Sequence, residues 1–183
     1  MKKNRRIAVY SMFACIIIVL QVIATYINIG GFPITLTLVP IIVAGVIYGV
    51  KTATICGLIF GGIVFAMVIL GFDPNSMTMF IMNPVATTAV CFVKGGLAGL
   101  CSALAYKWIR NKNVAIVVAA GVAPIINTAT FCLFLFLFFD TSFAASFSIL
   151  ISLNFFIEFL INVLIAPALL KLSRLKHKIA DID

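Results

Sequence analysis

Acidic side chains are scarce in this chain. Five Asp and Glu stand against 13 Lys and Arg in 183 residues, and charged residues reach 10%, where soluble domains carry about 25%. That scarcity excludes an ordinary soluble domain. Histidine occurs once, as His177 in a basic tail, where a solvated or headgroup-facing ring is the ordinary role. The cysteines Cys15, Cys56, Cys91, Cys101 and Cys132 lie in apolar runs, with no CxxC spacing and no clustered histidines. They read as small packing residues, and no metal site is expected. HExxH, GxSxG and GxxxxGK[ST] are all missing, as is a pair of intramembrane aspartates. The chain is therefore not expected to be an enzyme. Nothing in it resembles a nucleotide-binding domain, so ATP-driven work would fall to partner subunits.

What the chain does hold is apolar surface: 64% of its residues are hydrophobic and its mean hydropathy is +1.26. At ~20 residues per membrane span, the length suits an all-α integral membrane protein. We expect one compact bundle of six transmembrane helices, a single domain over residues 1–183. Apolar runs between turn and charge signals predict helices over 7–27, 35–50, 52–71, 84–109, 113–139 and 145–171. Threading them through a bilayer puts Lys2, Lys3, Arg5, Arg6, Lys51, Lys107, Arg110, Lys112, Lys171, Arg174, Lys176 and Lys178 on one side. Twelve of the 13 basic residues thus share a face, which the positive-inside rule assigns to the cytoplasm together with both termini. The net charge of +8 belongs to membrane topology and lipid contact, and no nucleic acid is expected. Asp73 and Asp140 then face outward.

Gly45 and Gly49, Gly57 and Gly61, and Gly95 and Gly99 form GxxxG pairs on three helices. Such pairs let helix backbones approach closely, within one bundle or against another protein. On the first helix Ser11 and Cys15, beside Ala8 and Ala14, make a narrow surface of small side chains.

Two ionisable groups stand at membrane depth, where an unpaired charge costs several kcal/mol. Lys94 lies ~15 Å into the fourth predicted helix, counted at 1.5 Å per residue. Glu158 lies in the sixth, where Asn154, Glu158 and Asn162 recur every four residues and share an inward face. Pro124 is expected to loosen the fifth helix and free a carbonyl near Asn127 and Thr128. Asn83 and Thr87 lie toward the outer end of the fourth. Two readings are open. Lys94 and Glu158 form an ion pair that holds the bundle in register, or Lys94, Asn83, Thr87, Asn127, Thr128, Asn154 and Glu158 line a substrate pocket in which Lys94 meets an anion. A paired lysine can also exchange its carboxylate for that of a substrate.

The run from Ile7 to Cys15 (IAVYSMFAC), the stretch from Leu36 to Gly49 (LTLVPIIVAGVIYG), the segment from Lys94 to Gly99 (KGGLAG) and the tail from Asn162 to Leu175 carry a family likeness. The chain resembles the substrate-binding S components of energy-coupling factor (ECF) vitamin transporters. The resemblance implies a capture subunit in a bacterial or archaeal cell membrane. Its partners would be a transmembrane coupling subunit and two ATPases, its ligand a small water-soluble vitamin; it would carry no cofactor of its own. Family members topple in the bilayer to deliver the ligand inward. The segments 28–36, 72–84 and 139–146 correspond to their gating loops. The family's AxxxA contact with the coupling subunit falls here on Ser11 and Cys15, with Ala8 alongside.

Fold alone does not select the vitamin. Lys94 favours one with a carboxylate: pantothenate first, then folate or biotin. Trp108, the single tryptophan, falls at a helix end suited to interfacial anchoring, and Phe131 to Phe139 read as lipid-facing or core residues. The alternative is a structural or assembly membrane protein that keeps a Lys94–Glu158 register pair and binds no ligand. A secondary transporter or channel would show repeat symmetry or a polar stripe across the membrane, and neither is present.

Overall fold

The computed structural model describes residues 3–26, 28–29, 32–33, 36–139 and 155–171. Helix dominates: α1 (Lys3–Tyr26), α2 (Leu38–Tyr48), α3 (Val50–Ile69), α4 (Pro74–Met82), α5 (Pro84–Trp108) and α6 (Lys112–Phe138) are followed by α7 over 155–171. Two-residue strands β1 (Asn28–Ile29) and β2 (Phe32–Pro33) pair antiparallel, Asn28 opposite Pro33. Among the described residues four helices, α1, α3, α5 and α6, are long and apolar enough to cross a membrane. The first part of the predicted sixth helix and the segment 139–146, except Phe139, lie outside the described residues.

The helix boundaries follow local chemistry. Asn83 ends α4 and caps α5, its side-chain oxygen accepting from the Ala86 amide at 3.1 Å ahead of Pro84 at the first helical position. Asn111 does the same for α6, accepting from the amides of Asn113 and Val114. These caps satisfy first-turn donors that have no intrahelical acceptor. α6 runs as helix straight through Pro124.

Two expectations are corrected. The segment 72–84, read as a loop, contains α4, because Asp73 caps it: the carboxylate accepts from the Ser76 amide at 3.1 Å and from the Ser76 hydroxyl at 2.6 Å, with Pro74 at the first helical position. Its nine residues extend only ~13 Å, far less than a span, and α4 packs where α3 ends and α5 begins. There Met79 packs with Ala86 of α5 and with Leu135 and Phe139 at the end of α6. The break between α2 and α3 falls at Gly49 and not at Lys51, because Gly49 takes φ +89°, a conformation that L side chains rarely adopt. Lys51 instead belongs to the first turn of α3.

Glycine decides how the bundle closes. A Cβ on Gly57 of α3 would fall onto the carbonyl oxygen of Gly95 of α5, and a Cβ on Gly95 would fall onto that of Gly57. Gly61 lies as closely on Cys91, and Gly99 on Ala53. The two GxxxG pairs on α3 and α5 therefore face each other within this bundle. Gly45 brings α2 against Ala103 of α5. α2 sits centrally: Leu38, Ile41 and Ala44 join α1, α3 and α5 in one core, while Ile42 and Val46 join α6 and α7 in another. α1 is more peripheral. Val9, Phe13 and Ile17 are buried, whereas Ile7, Met12, Ile16 and Val19 are exposed.

Candidate functional site

α5 and α6 run antiparallel and pack along their length. The Ser102 hydroxyl, on α5, donates to the Ala119 carbonyl of α6 at 3.0 Å. From that contact toward the α4 end, the α5 face turned to α6 carries Lys94 and then Thr87, two turns apart. Lys94 holds its Nζ 5.0 Å from the centroid of the Phe131 ring on α6, within the range of a cation–π contact. Asn127 stands one turn from Phe131 on the same face of α6 and is buried. Its Oδ1 has no hydrogen-bond partner among the described residues, and the same holds for the Thr87 hydroxyl, 1% exposed. Buried polar atoms without partners are rare in folded proteins and costly. Two of them flanking an intramembrane ammonium suit a group that arrives from outside the chain.

The other predicted residues distribute as follows. Asn83 commits its side-chain oxygen to capping α5, and Thr128 is half-buried beside Asn127. Glu158 and Asn162 are both buried on α7, with the Asn162 side-chain amide donating to the Glu158 carbonyl at 2.7 Å. Asn154 lies outside the described residues. Among the described residues no ion pair joins Lys94 to Glu158. Phe159, next to Glu158, packs over Gly121, ten residues along α6 from Phe131 and hence ~15 Å away at 1.5 Å per residue. Lys94 and Glu158 thus belong to different levels of the bundle.

Sequence reasoning did not single out Phe131 or the buried Thr37, and it named Asn162 only for sharing a face with Glu158. Phe131 was read as core or lipid-facing, and only the packing of α5 on α6 brings it under Lys94. Thr37, at the start of α2, is fully buried with an unpartnered hydroxyl, as is the side-chain oxygen of Asn162. Asn162 was visible in the four-residue recurrence with Glu158. Nothing local marks Thr37.

On the outer surface of α1, Ala8, Ser11 and Cys15 are all exposed. At the other end of the bundle from α4, Arg6, Lys51, Lys107 and Lys112 surround one cavity, and the exposed Trp108 lies beside them in sequence. Basic residues from four helices thus gather at one end, as the charge pattern predicts.

No solved structure matches the chain. A pantothenic acid transporter, PanT, of Lactococcus lactis subsp. cremoris is 27% identical over 186 aligned positions, covering 92% of this chain and 94% of that one. The family model for the substrate-specific component of ECF transporters matches residues 5–170, nearly the whole bundle from α1 to α7, and the chain belongs to that family.

Proposed function

We propose that this protein is the capture subunit of an ECF-type importer and that its vitamin is pantothenate. One observation carries the substrate: Lys94 sits at membrane depth over Phe131, flanked by the unpartnered polar atoms of Thr87 and Asn127. Pantothenate carries a carboxylate for the ammonium, and hydroxyls and an amide for the threonine and asparagine. Folate and biotin share the carboxylate and rank behind it. The name of the Lactococcus relative supports the same choice. Asn83, Thr128 and Asn154 complete the proposed pocket, with α4 above it as part of its outer cover, and Glu158, on another level of the bundle, is left out of it. The basic end faces the cytoplasm with both termini, and substrate enters from the α4 side.

Delivery inward rests on a coupling subunit and two ATPases, against which the chain topples. Ala8, Ser11 and Cys15 form the docking strip on α1, a reading supported by their exposure and small size. Ser11→Leu should fill that strip without touching the pocket. Reconstituted with the energising subunits, this variant should lose most vitamin uptake while binding vitamin as tightly as the parent. Uptake at the parental rate would remove the strip from the mechanism.

The substrate assignment is tested by thermal unfolding of the purified protein against a vitamin panel. A ligand at 100 times its Kd adds about 2.7 kcal/mol to the native state, which moves the midpoint by several degrees. Pantothenate should give that shift, and biotin, folate, thiamin and riboflavin should not. A shift from another vitamin alone would reassign the substrate. No shift with folded protein would favour the structural alternative.

A further inference from the structure

The cavity at the basic end is far from Lys94 and plays no part in vitamin capture. It encloses about 780 Å³, within the usual range of small-molecule sites. Arg6 of α1, Lys51 of α3, Lys107 of α5 and Lys112 of α6 line it, and among the described residues no Asp or Glu does. Lys112 is partly committed: its ammonium donates to the carbonyls of Tyr106 and Ile109 at 3.3 and 3.4 Å and lies over the Tyr106 ring. It closes the carbonyl end of α5, leaving Arg6, Lys51 and Lys107 to face the cavity.

Two further features point to an anion. α3 opens into the cavity at its N-terminus, and Gly49 supplies no side-chain cap. First-turn amides lack intrahelical acceptors and carry the positive end of the helix dipole. Thr52, in that same turn, lines the cavity although it is only 5% exposed, and its hydroxyl makes no hydrogen bond among the described residues. The hydroxyl of a buried side chain, uncapped amides, Lys51 of the same turn and cations from two further helices converge, and among the described residues no acidic side chain joins them. Phosphate groups suit such a constellation, because they accept several hydrogen bonds and carry charge.

We propose that this cavity binds a phosphate group at the N-terminus of α3, with Thr52 and the helix amides as donors and Arg6, Lys51 and Lys107 as counter-charges. Two sources share that chemistry: the headgroup of an anionic lipid in the inner leaflet, and a soluble phosphate. Either would tie the start of α1, the helix with the exposed small-residue strip, to the ends of α3 and α5.

Thermal unfolding of the full chain in a neutral detergent separates the sources, with ionic strength held constant because exposed cations are screened by salt. The probes are dioctanoyl phosphatidylglycerol, dioctanoyl phosphatidylcholine and inorganic phosphate. Phosphatidylglycerol should raise the melting temperature by several degrees and phosphatidylcholine should not; an equal rise with inorganic phosphate would identify free phosphate as sufficient. Thr52→Val keeps the side-chain shape and should weaken the response about tenfold, the loss of one hydrogen bond to a charged group. Lys51→Gln with Lys107→Gln should abolish it. Both variants should bind pantothenate as the parent does. No response to either anion, or an unaltered response in both variants, would overturn the site.

Discussion

Lys94→Ala is expected to weaken pantothenate binding by about 100-fold or more while leaving the protein folded. Truncating one partner of a buried, hydrogen-bonded charge pair costs about 2–5 kcal/mol, and each 1.4 kcal/mol is a factor of ten in Kd. The same substitution has opposing effects on the empty protein. It removes the contact with the Phe131 ring, a cation–π interaction of about 0.5–2 kcal/mol, and it also removes an ammonium from membrane depth, where a charge is costly. The two nearly offset, so the unfolding midpoint without vitamin should change little. Titration calorimetry of the parent, Lys94→Ala and Lys94→Met decides the matter. The methionine variant keeps most of the side-chain length without the charge and should bind as poorly as the alanine variant. Parental affinity in both would show that Lys94 does not meet the carboxylate, and affinity retained only in Lys94→Met would make its role one of packing.

That Lys94 is worth testing was legible from one fact, a lysine within a long apolar run. What it touches was not. Helical spacing gives the face on which a side chain stands, but the neighbour across that face comes from tertiary packing, so Phe131 became part of the site only once α5 and α6 were seen together. The same limit applies to glycine. The GxxxG spacing announced close approach, yet the pairing of Gly57 with Gly95 follows from how α3 and α5 meet. Boundaries were legible where one residue carries the cap, as at Asn83 and Asn111. They were misplaced where two signals compete. Asp73-Pro74-Asn75 reads as a turn, and the same Asp-Pro followed by Ser76 starts a helix. The shift from Lys51 to Gly49 has a similar cause: a charge marks the membrane surface, while the chain bends at the residue able to take a positive φ.

Gly95→Ala should be among the most destabilising single-methyl additions available in this chain. Backbone meets backbone at this position: the added Cβ would overlap the Gly57 carbonyl, and no side-chain rotation relieves that. Association of helices in lipid depends on van der Waals packing rather than on expulsion of water, so forcing α3 and α5 apart loses contact along the whole interface. Overpacking of a core costs about 1–3 kcal/mol and sometimes more, and the upper part of that range is expected here. Gly62→Ala supplies the control. It adds the same methyl to α3, but the Cβ would meet only the Phe92 ring at 3.4 Å, an ordinary contact. Alanine also favours helix over glycine by about 1 kcal/mol, so this variant should be neutral or slightly more stable. Thermal unfolding of the two purified variants beside the parent measures the difference. Gly95 adjoins Lys94 in the chain, so any displacement of α5 that the fold survives should carry the ammonium away from Phe131 and weaken vitamin binding as well. A Gly95→Ala protein as stable as the parent would mean that α3 and α5 do not approach at this glycine, and the position of Lys94 between α5 and α6 would then need another support.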